Sequence, residues 1–449
     1  MRYLPHTNEE IAKMLAATGA KEMDGLFSNI PKALRCDAEL NIPEGMAEQD
    51  LWLELNNIAM TNRTLSCSAS FLGGGAYRHY VPAAVSELAS RSEFTTPYTP
   101  YQPEVGQGTL QAMFEYQSLI CRLFRMDVSN ASHYSGATAG ADAALMARRV
   151  SKNRKKILLP DNMHPEYRHV IETVIANEKE VGTIPSSAGH IDRSELKSMI
   201  SQDVAAVFVQ FPNFFGIVED LSDVAEKAHA AGALLVAVVP EPISLGILNP
   251  PGNWGADIAV GEGLSLGLPV SFGGPTLGIF TARKELVRDM PGRICGRTAD
   301  ANGRPGYVLT LSTREQHIRR ERATSNICSN QALCATTAAI YMSMLGKEGM
   351  RELASINAAK ADYAKKKLSS VKGVELPFEA PTFNEFVIET ENPASEVLSK
   401  LAAEGIMGGI DLGKWEPDMD RNILVCATEL NTKEEIDRYA EQLGKVLKG

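Results

Sequence analysis

Between Lys227 and Lys284 the chain has no lysine, although this stretch carries a long glycine-rich loop. Other absences bound the protein more broadly. No apolar run approaches the roughly 18 residues of a membrane-spanning helix, so no membrane partner is expected. Positive charge is not in excess: 45 Lys and Arg against 55 Asp and Glu give a net charge of −10. Nucleic acid and anionic membranes both demand clustered positive charge, and so neither is an expected partner. The seven cysteines are an odd number and include no C-x-x-C pair. A reduced, cytoplasmic chain with mostly buried thiols is the expectation, with a redox pair at Cys328 and Cys334 as the alternative. The opening MRYLPHTNEE is polar at once and predicts no secretory signal. Neither internal repeats nor low-complexity tracts occur. At 449 residues, 44% apolar and 22% charged, the composition is that of a folded chain of two or three domains.

A capping box, Thr7 with Glu10, starts a helix whose apolar stripe is Ile11, Met14 and Leu15. Helical patterning returns at 50–60, and residues 1–60 are expected to form an N-terminal helical arm that wraps a partner subunit or packs on its own domain. FLGGGAYRHYVP (71–82) and TTPYTPYQPEVGQG (95–108) are dense in glycine and proline and predict ordered loops. A helix follows, with Leu110, Met113, Phe114, Ile120 and Leu123 near 3.6-residue spacing. From about Ser135 helices alternate with apolar strands: strands at 157–159, 205–210, 233–239, 258–260 and 277–282, helices at 139–149, 166–176 and 221–230. Fully apolar strands between amphipathic helices predict a largely parallel sheet covered on both faces. Residues 61–335 are expected to form one large α/β domain. Residues 336–449 read as a smaller α+β domain, with helices at 331–345 and 350–370 followed by strand, helix, strand, helix.

The stretch Ala256–Phe280 leaves the end of a strand as a glycine-rich loop, the place where a doubly wound fold binds cofactors. Pyridoxal phosphate would require a lysine for its Schiff base, a carboxylate on the pyridine nitrogen and donors for the phosphate. The turn Ser135-Gly136-Ala137-Thr138 opens a helix and suits an anion, or serves only as a cap. His229, Gly232 and Leu234 match the pattern leading to the carboxylate, but Val238 stands where the aspartate belongs. Glu241 and Glu262 lie nearby, with solvation their expected fate. His164 and His169 lack a third ligand, so no metal is expected. Asp142, Glu166 and the arginines 314, 319, 320 and 322 read as solvated, an anion site being the alternative for the arginines. The lysine runs 155–156 and 365–367 fit helix ends and faces.

FLGGGAYRHYVP, TPYTPYQPEVGQGTLQAMFEYQ, YSGATAGADAALMA, HPEYR, GLSLGLPVSFGGPTLGIF, the PGR at 291–293 and LSTREQHIRRERATSNICSNQAL together resemble the glycine cleavage system P-protein family, specifically the N-terminal, alpha-type subunit of its two-chain form. The resemblance implies a fold-type I pyridoxal-phosphate transferase architecture, like that of aspartate aminotransferase, in an α2β2 heterotetramer. The family's enzyme releases the carboxyl group of glycine as CO2 and passes the aminomethyl group to the lipoyl arm of the H-protein. Its cofactor lysine belongs to the beta subunit, in an H-K-T-F…GGGGPG loop. Registering the end of that loop on Gly274-Pro275 puts Leu264 at the lysine position, and no cofactor is expected on this chain. Tyr98, Tyr101, Gln102 and Glu104 are the candidates for completing the partner's active site. An inert scaffold, or a stand-alone decarboxylase or aminotransferase, are the alternatives.

Overall fold

The computed structural model describes residues 5–36, 41–62, 64–65, 68–95, 97–323, 325, 327 and 329–448. The chain divides into two compact units, Met1–Arg63 and Thr64–Gly449. In the first, Thr7 and Glu10 form the expected capping box on α1 (Asn8–Thr18), and Gly19 ends the helix at a φ of 76°. α2 spans Glu48–Ala59, and neither helix buries a residue. Leu51, Trp52, Leu55 and Ile58 all stand exposed.

The second unit is built on a seven-stranded sheet. Its strands are β1 (Val128–Ser129), β2 (Lys156–Pro160), β3 (Val181–Ile184), β4 (Val204–Gln210), β5 (Leu234–Val239), β6 (Ile258–Glu262) and β7 (Gly278–Ala282). They lie in the order β1-β7-β6-β5-β4-β2-β3. β2 to β6 pair in parallel, and β7 runs antiparallel to both β6 and β1. Alternate residues feed two cores. Val207, Leu235 and Val239 pack with Tyr116 and Phe124 of α3 (Gln107–Phe124). Phe208, Val236, Val238 and Val260 pack on the other face with α4 (Gly136–Val150) and with Ile171 of α5 (Pro165–Ile175). All seven residues of β4 are buried, which is why that strand reads as an unbroken apolar run. The two-residue β1 and the glycine-containing β3 carry no such run, and so neither was anticipated from the pattern.

A long helix, α6 (Ala332–Ser369), breaks at Gly346, whose φ of 61° favours glycine. The sequence pattern places the same break between its two helices. Beyond it lies a four-stranded antiparallel sheet containing β8 (Glu385–Thr390) and β9 (Asn422–Cys426), packed against α7 (Ala394–Ala403) and α8 (Lys433–Val446). Ala69–Ser70 pairs in parallel with Ile406–Met407 on this side of the fold. The chain then crosses to the large sheet through the glycines 73–75, where the Glu385 carboxylate accepts the Gly74 N–H at 2.6 Å and the Tyr77 hydroxyl at 2.7 Å. Among the described residues no helix is long and apolar enough to cross a membrane.

His79 joins the two sheets. Its Nε2 is 2.9 Å from Glu241, just beyond β5, and its Nδ1 is 2.8 Å from Glu429, just beyond β9. Burial opposes charge on the ring, but the charges and hydrogen bonds of the two carboxylates outweigh it and push its pKa up to about 10. Glu429 also accepts from the Tyr80 N–H at 2.6 Å and from Asn357 at 3.0 Å. Glu385, on the other flank, is pushed up to about 7 by burial, against the opposing donors Gly74 and Tyr77. His79→Gln leaves two buried carboxylates without their cation and is expected to cost about 3–5 kcal/mol, measured by chemical denaturation at pH 7. A ring whose folded pKa is raised stabilises fully below its unfolded value of 6.5 and loses that contribution as pH climbs towards about 10. The stability gap between wild type and His79→Gln should therefore narrow from pH 7 to pH 10. A constant gap would show that the imidazolium is not the cause.

Candidate functional site

The two positions singled out in the sequence, Val238 and Leu264, lie at the carboxyl end of β5 and just beyond β6, and both are buried. Val238 lies opposite Gln210 and Val260 and is fully buried in the core under α4. Leu264 is buried in the turn after β6, and the neighbouring Ser265 hydroxyl donates to Glu241 at 3.0 Å. Glu262 ends β6 and turns its carboxylate onto the start of α4, where it accepts the Gly136 N–H at 2.9 Å and the Leu277 N–H at 2.7 Å. Burial raises the pKa of Glu262, and the N–H groups of Gly136, Leu277, Leu264 and Gly263 work against that rise. A Cβ on Gly136 would fall onto the Tyr167 hydroxyl and the Gly261 backbone. The hydroxyls of Ser135 and Thr138 serve each other's backbone in a capping box, at 3.1 and 3.2 Å. Ala137 adds only a methyl group to the same turn.

Pyridoxal phosphate does not suit these residues. Leu264 has no amine, Val238 has no carboxylate, and the Gly136 N–H already donates to the chain's own Glu262. Several expectations need correcting. Glu241 and Glu262 are not solvated but buried, at 1% and 6% exposure. The legible signal was their place, each within three residues of the end of an all-apolar strand. Asp142 is likewise no free surface charge: it pairs with His133 at 2.9 Å and accepts from Ser325 at 2.7 Å. His133 in turn stacks on Phe280 with centroids 5.2 Å apart.

The proline-rich loop lies elsewhere on the same unit and is presented outward. Tyr98 is 86% exposed and Tyr101 53%. Gln102 and Glu104 are exposed as well. The loop is tied down from below: Gln107 donates to the carbonyls of Pro103 and Tyr307 at 2.6 and 2.8 Å and accepts the Tyr307 N–H at 2.9 Å. Tyr98 reaches Ser329 at 3.2 Å, and Tyr101 accepts from Arg293 at 2.9 Å. Gln331 and Arg293 bond by their backbones to Ser132 and Ala131, at the end of β1. Of the four arginines read as solvated, Arg319, Arg320 and Arg322 are exposed and Glu166 is too, whereas Arg314 is buried and donates to the carbonyls of Met290, Gly292 and Leu311.

His164 spends its ring nitrogens on the Gly74 carbonyl at 2.8 Å and the Glu166 N–H at 3.1 Å. Among the described residues no cluster of three metal-ligating side chains occurs. Cys334 is buried, and burial raises its pKa; Cys328 lies outside the described residues. Adding the missing amine alone should not restore a site: Leu264→Lys is expected to retain no pyridoxal phosphate after dialysis of the isolated chain, and stoichiometric retention would contradict the closed geometry. Gly136→Ala should cost about 1–3 kcal/mol by overpacking against Tyr167, read from the denaturation midpoint.

The sequence pattern of the family described as "Glycine cleavage system P-protein" matches residues 1–443. A curated relative from Moorella thermoacetica, "Probable glycine dehydrogenase (decarboxylating) subunit 1", is 49% identical over 448 residues and covers all of both chains. One of the same description from Geotalea uraniireducens is 50% identical over 444 residues, 99% of each. The crystal structure of "glycine decarboxylase (P-protein) of the glycine cleavage system, in inhibitor-bound form" superposes with a TM-score of 0.90 at 42% identity over the whole of both chains. A "NIFS-LIKE PROTEIN" shares the fold alone, with a TM-score of 0.65 at 15% identity over 85% of this chain and 99% of that one. The expected fold-type I architecture is borne out by these likenesses. The chain belongs to the glycine cleavage system P-protein family.

Proposed function

We propose that this chain is the alpha-type subunit of a two-chain glycine dehydrogenase (decarboxylating), without a cofactor of its own. Pyridoxal phosphate and its lysine then belong to the partner beta subunit, in a cytoplasmic α2β2 heterotetramer that serves glycine breakdown. The observation that carries this reading is the closed strand-end site, in which Glu262 takes the Gly136 N–H and the lysine and aspartate positions are Leu264 and Val238. The relatives named subunit 1 support it, since each matches this chain end to end.

When bound by the partner, the cofactor supplies the electron sink for loss of the glycine carboxyl group, and the aminomethyl group passes to the lipoyl arm of the H-protein. This chain's part is to border that site. Tyr98, Tyr101, Gln102 and Glu104 offer donors and acceptors from a loop held by prolines and by Gln107, so little ordering entropy remains to be lost when the partner docks. The exposed apolar residues of α2 support a second role in assembly, as such a surface seldom stays uncovered.

Glycine–bicarbonate exchange by the assembled complex tests the loop. Tyr98→Phe and Tyr101→Phe are each expected to lower the rate roughly 10- to 100-fold, the equivalent of losing a hydrogen bond to a charged group. Unchanged rates in a complex of normal stoichiometry would remove the loop from the chemistry and leave it a role in assembly.

A further inference from the structure

Tyr101 is half exposed, yet its hydroxyl is fixed from beneath by a residue that is only 3% exposed. Arg293 donates through Nη2 to the Tyr101 oxygen at 2.9 Å, and its guanidinium carbon lies 5.2 Å from the ring centroid. A guanidinium donates and never accepts. The Tyr101 oxygen is therefore the acceptor in this contact, and its own proton points elsewhere. Among the described residues no acceptor receives that proton.

The arginine itself is held on several sides. Glu315 lies 3.5 Å from its Nε and 3.6 Å from Nδ1 of His317, whose ring meets Tyr101 edge-on at 5.7 Å. The Arg293 carbonyl accepts the Ala131 N–H at 2.8 Å. Arg314 holds the preceding turn by the carbonyls of Met290 and Gly292. Among the described residues neither Arg293 Nε nor Glu315 Oε1 has a hydrogen-bond partner, so the pair is matched in charge while the Tyr101 contact is the directed one.

We propose that Arg293 is a positioning residue, which turns the Tyr101 hydroxyl into an outward O–H donor for the carboxylate of the amino-acid substrate held by the partner chain. This rests on the reading that the loop borders the partner's site. The chemistry selects the carboxylate end of that substrate. A donor backed by a cation forms a charge-assisted bond to an anion, whereas an ammonium group would meet no free acceptor and a like charge behind it.

The test is steady-state kinetics of the assembled complex with glycine, using Tyr101→Phe, Arg293→Gln, Arg293→Lys and the double variant Arg293→Gln/Tyr101→Phe, each checked by its thermal midpoint. Arg293→Gln is expected to raise KM for glycine roughly tenfold with a smaller change in kcat, and Arg293→Lys to recover part of that loss. The double variant should be no worse than Tyr101→Phe alone, because the arginine acts through the hydroxyl. If Arg293→Gln lowers the midpoint, Arg293→Gln/Glu315→Gln removes the unpaired buried charge and should show the same KM. Effects that multiply in the double variant, or an unchanged KM in a folded arginine variant, overturn the proposal. If Tyr101→Phe itself changes nothing, the reading of the loop fails first; if Tyr101→Phe raises KM and the arginine variants do not, only the role of Arg293 falls.

Discussion

One imidazolium ring decides how the second unit holds together. His79 stands between Glu241, at the end of a strand of the large sheet, and Glu429, at the end of a strand of the small one. Two carboxylates buried this closely repel each other and lose hydration, and only a cation between them makes the arrangement favourable. The strap that carries His79 also carries Tyr77 and the glycines over Glu385, so one short segment meets two buried acids, Glu385 and Glu241, and the half-buried Glu429. The small sheet is thereby fixed against the large one by charge as well as by apolar packing.

The same network passes through the strand ends where the fold would hold a cofactor. Ser265, next to Leu264, donates to Glu241, and Glu262 takes the N–H that opens α4. An electrostatic framework of the chain's own side chains occupies this region. Val238 and Leu264 are therefore buried beside backbone donors whose partners are the chain's own carboxyl groups.

With its inner site closed, the chain meets the outside through its loops. The proline-rich segment presents two tyrosines outward while Gln107, Arg293 and Ser329 hold it from behind. Side chains presented in this way are already ordered, so a partner that meets them need not spend free energy to arrange them.

The large sheet was legible because the apolar runs that make up most of β4, β5 and β6 are buried, and the capping box at Thr7 because local hydrogen bonds depend on neighbouring residues alone. Valine at 238, leucine at 264 and the lysine-free stretch between Lys227 and Lys284 are likewise facts of sequence, as identity at a position needs no coordinates. β1 and β3 escaped notice because their short stretches acquire strand character only from neighbours in the sheet. The fates of Glu241, Glu262 and Asp142 were decided by tertiary structure, since His79, Gly136 and Ser325, which meet them, lie 162, 126 and 183 residues away in sequence. By itself the sequence determined which residue types stand at the strand ends; only the fold decided which groups they meet there, because burial and pairing of a charge depend on what distant segments bring to it.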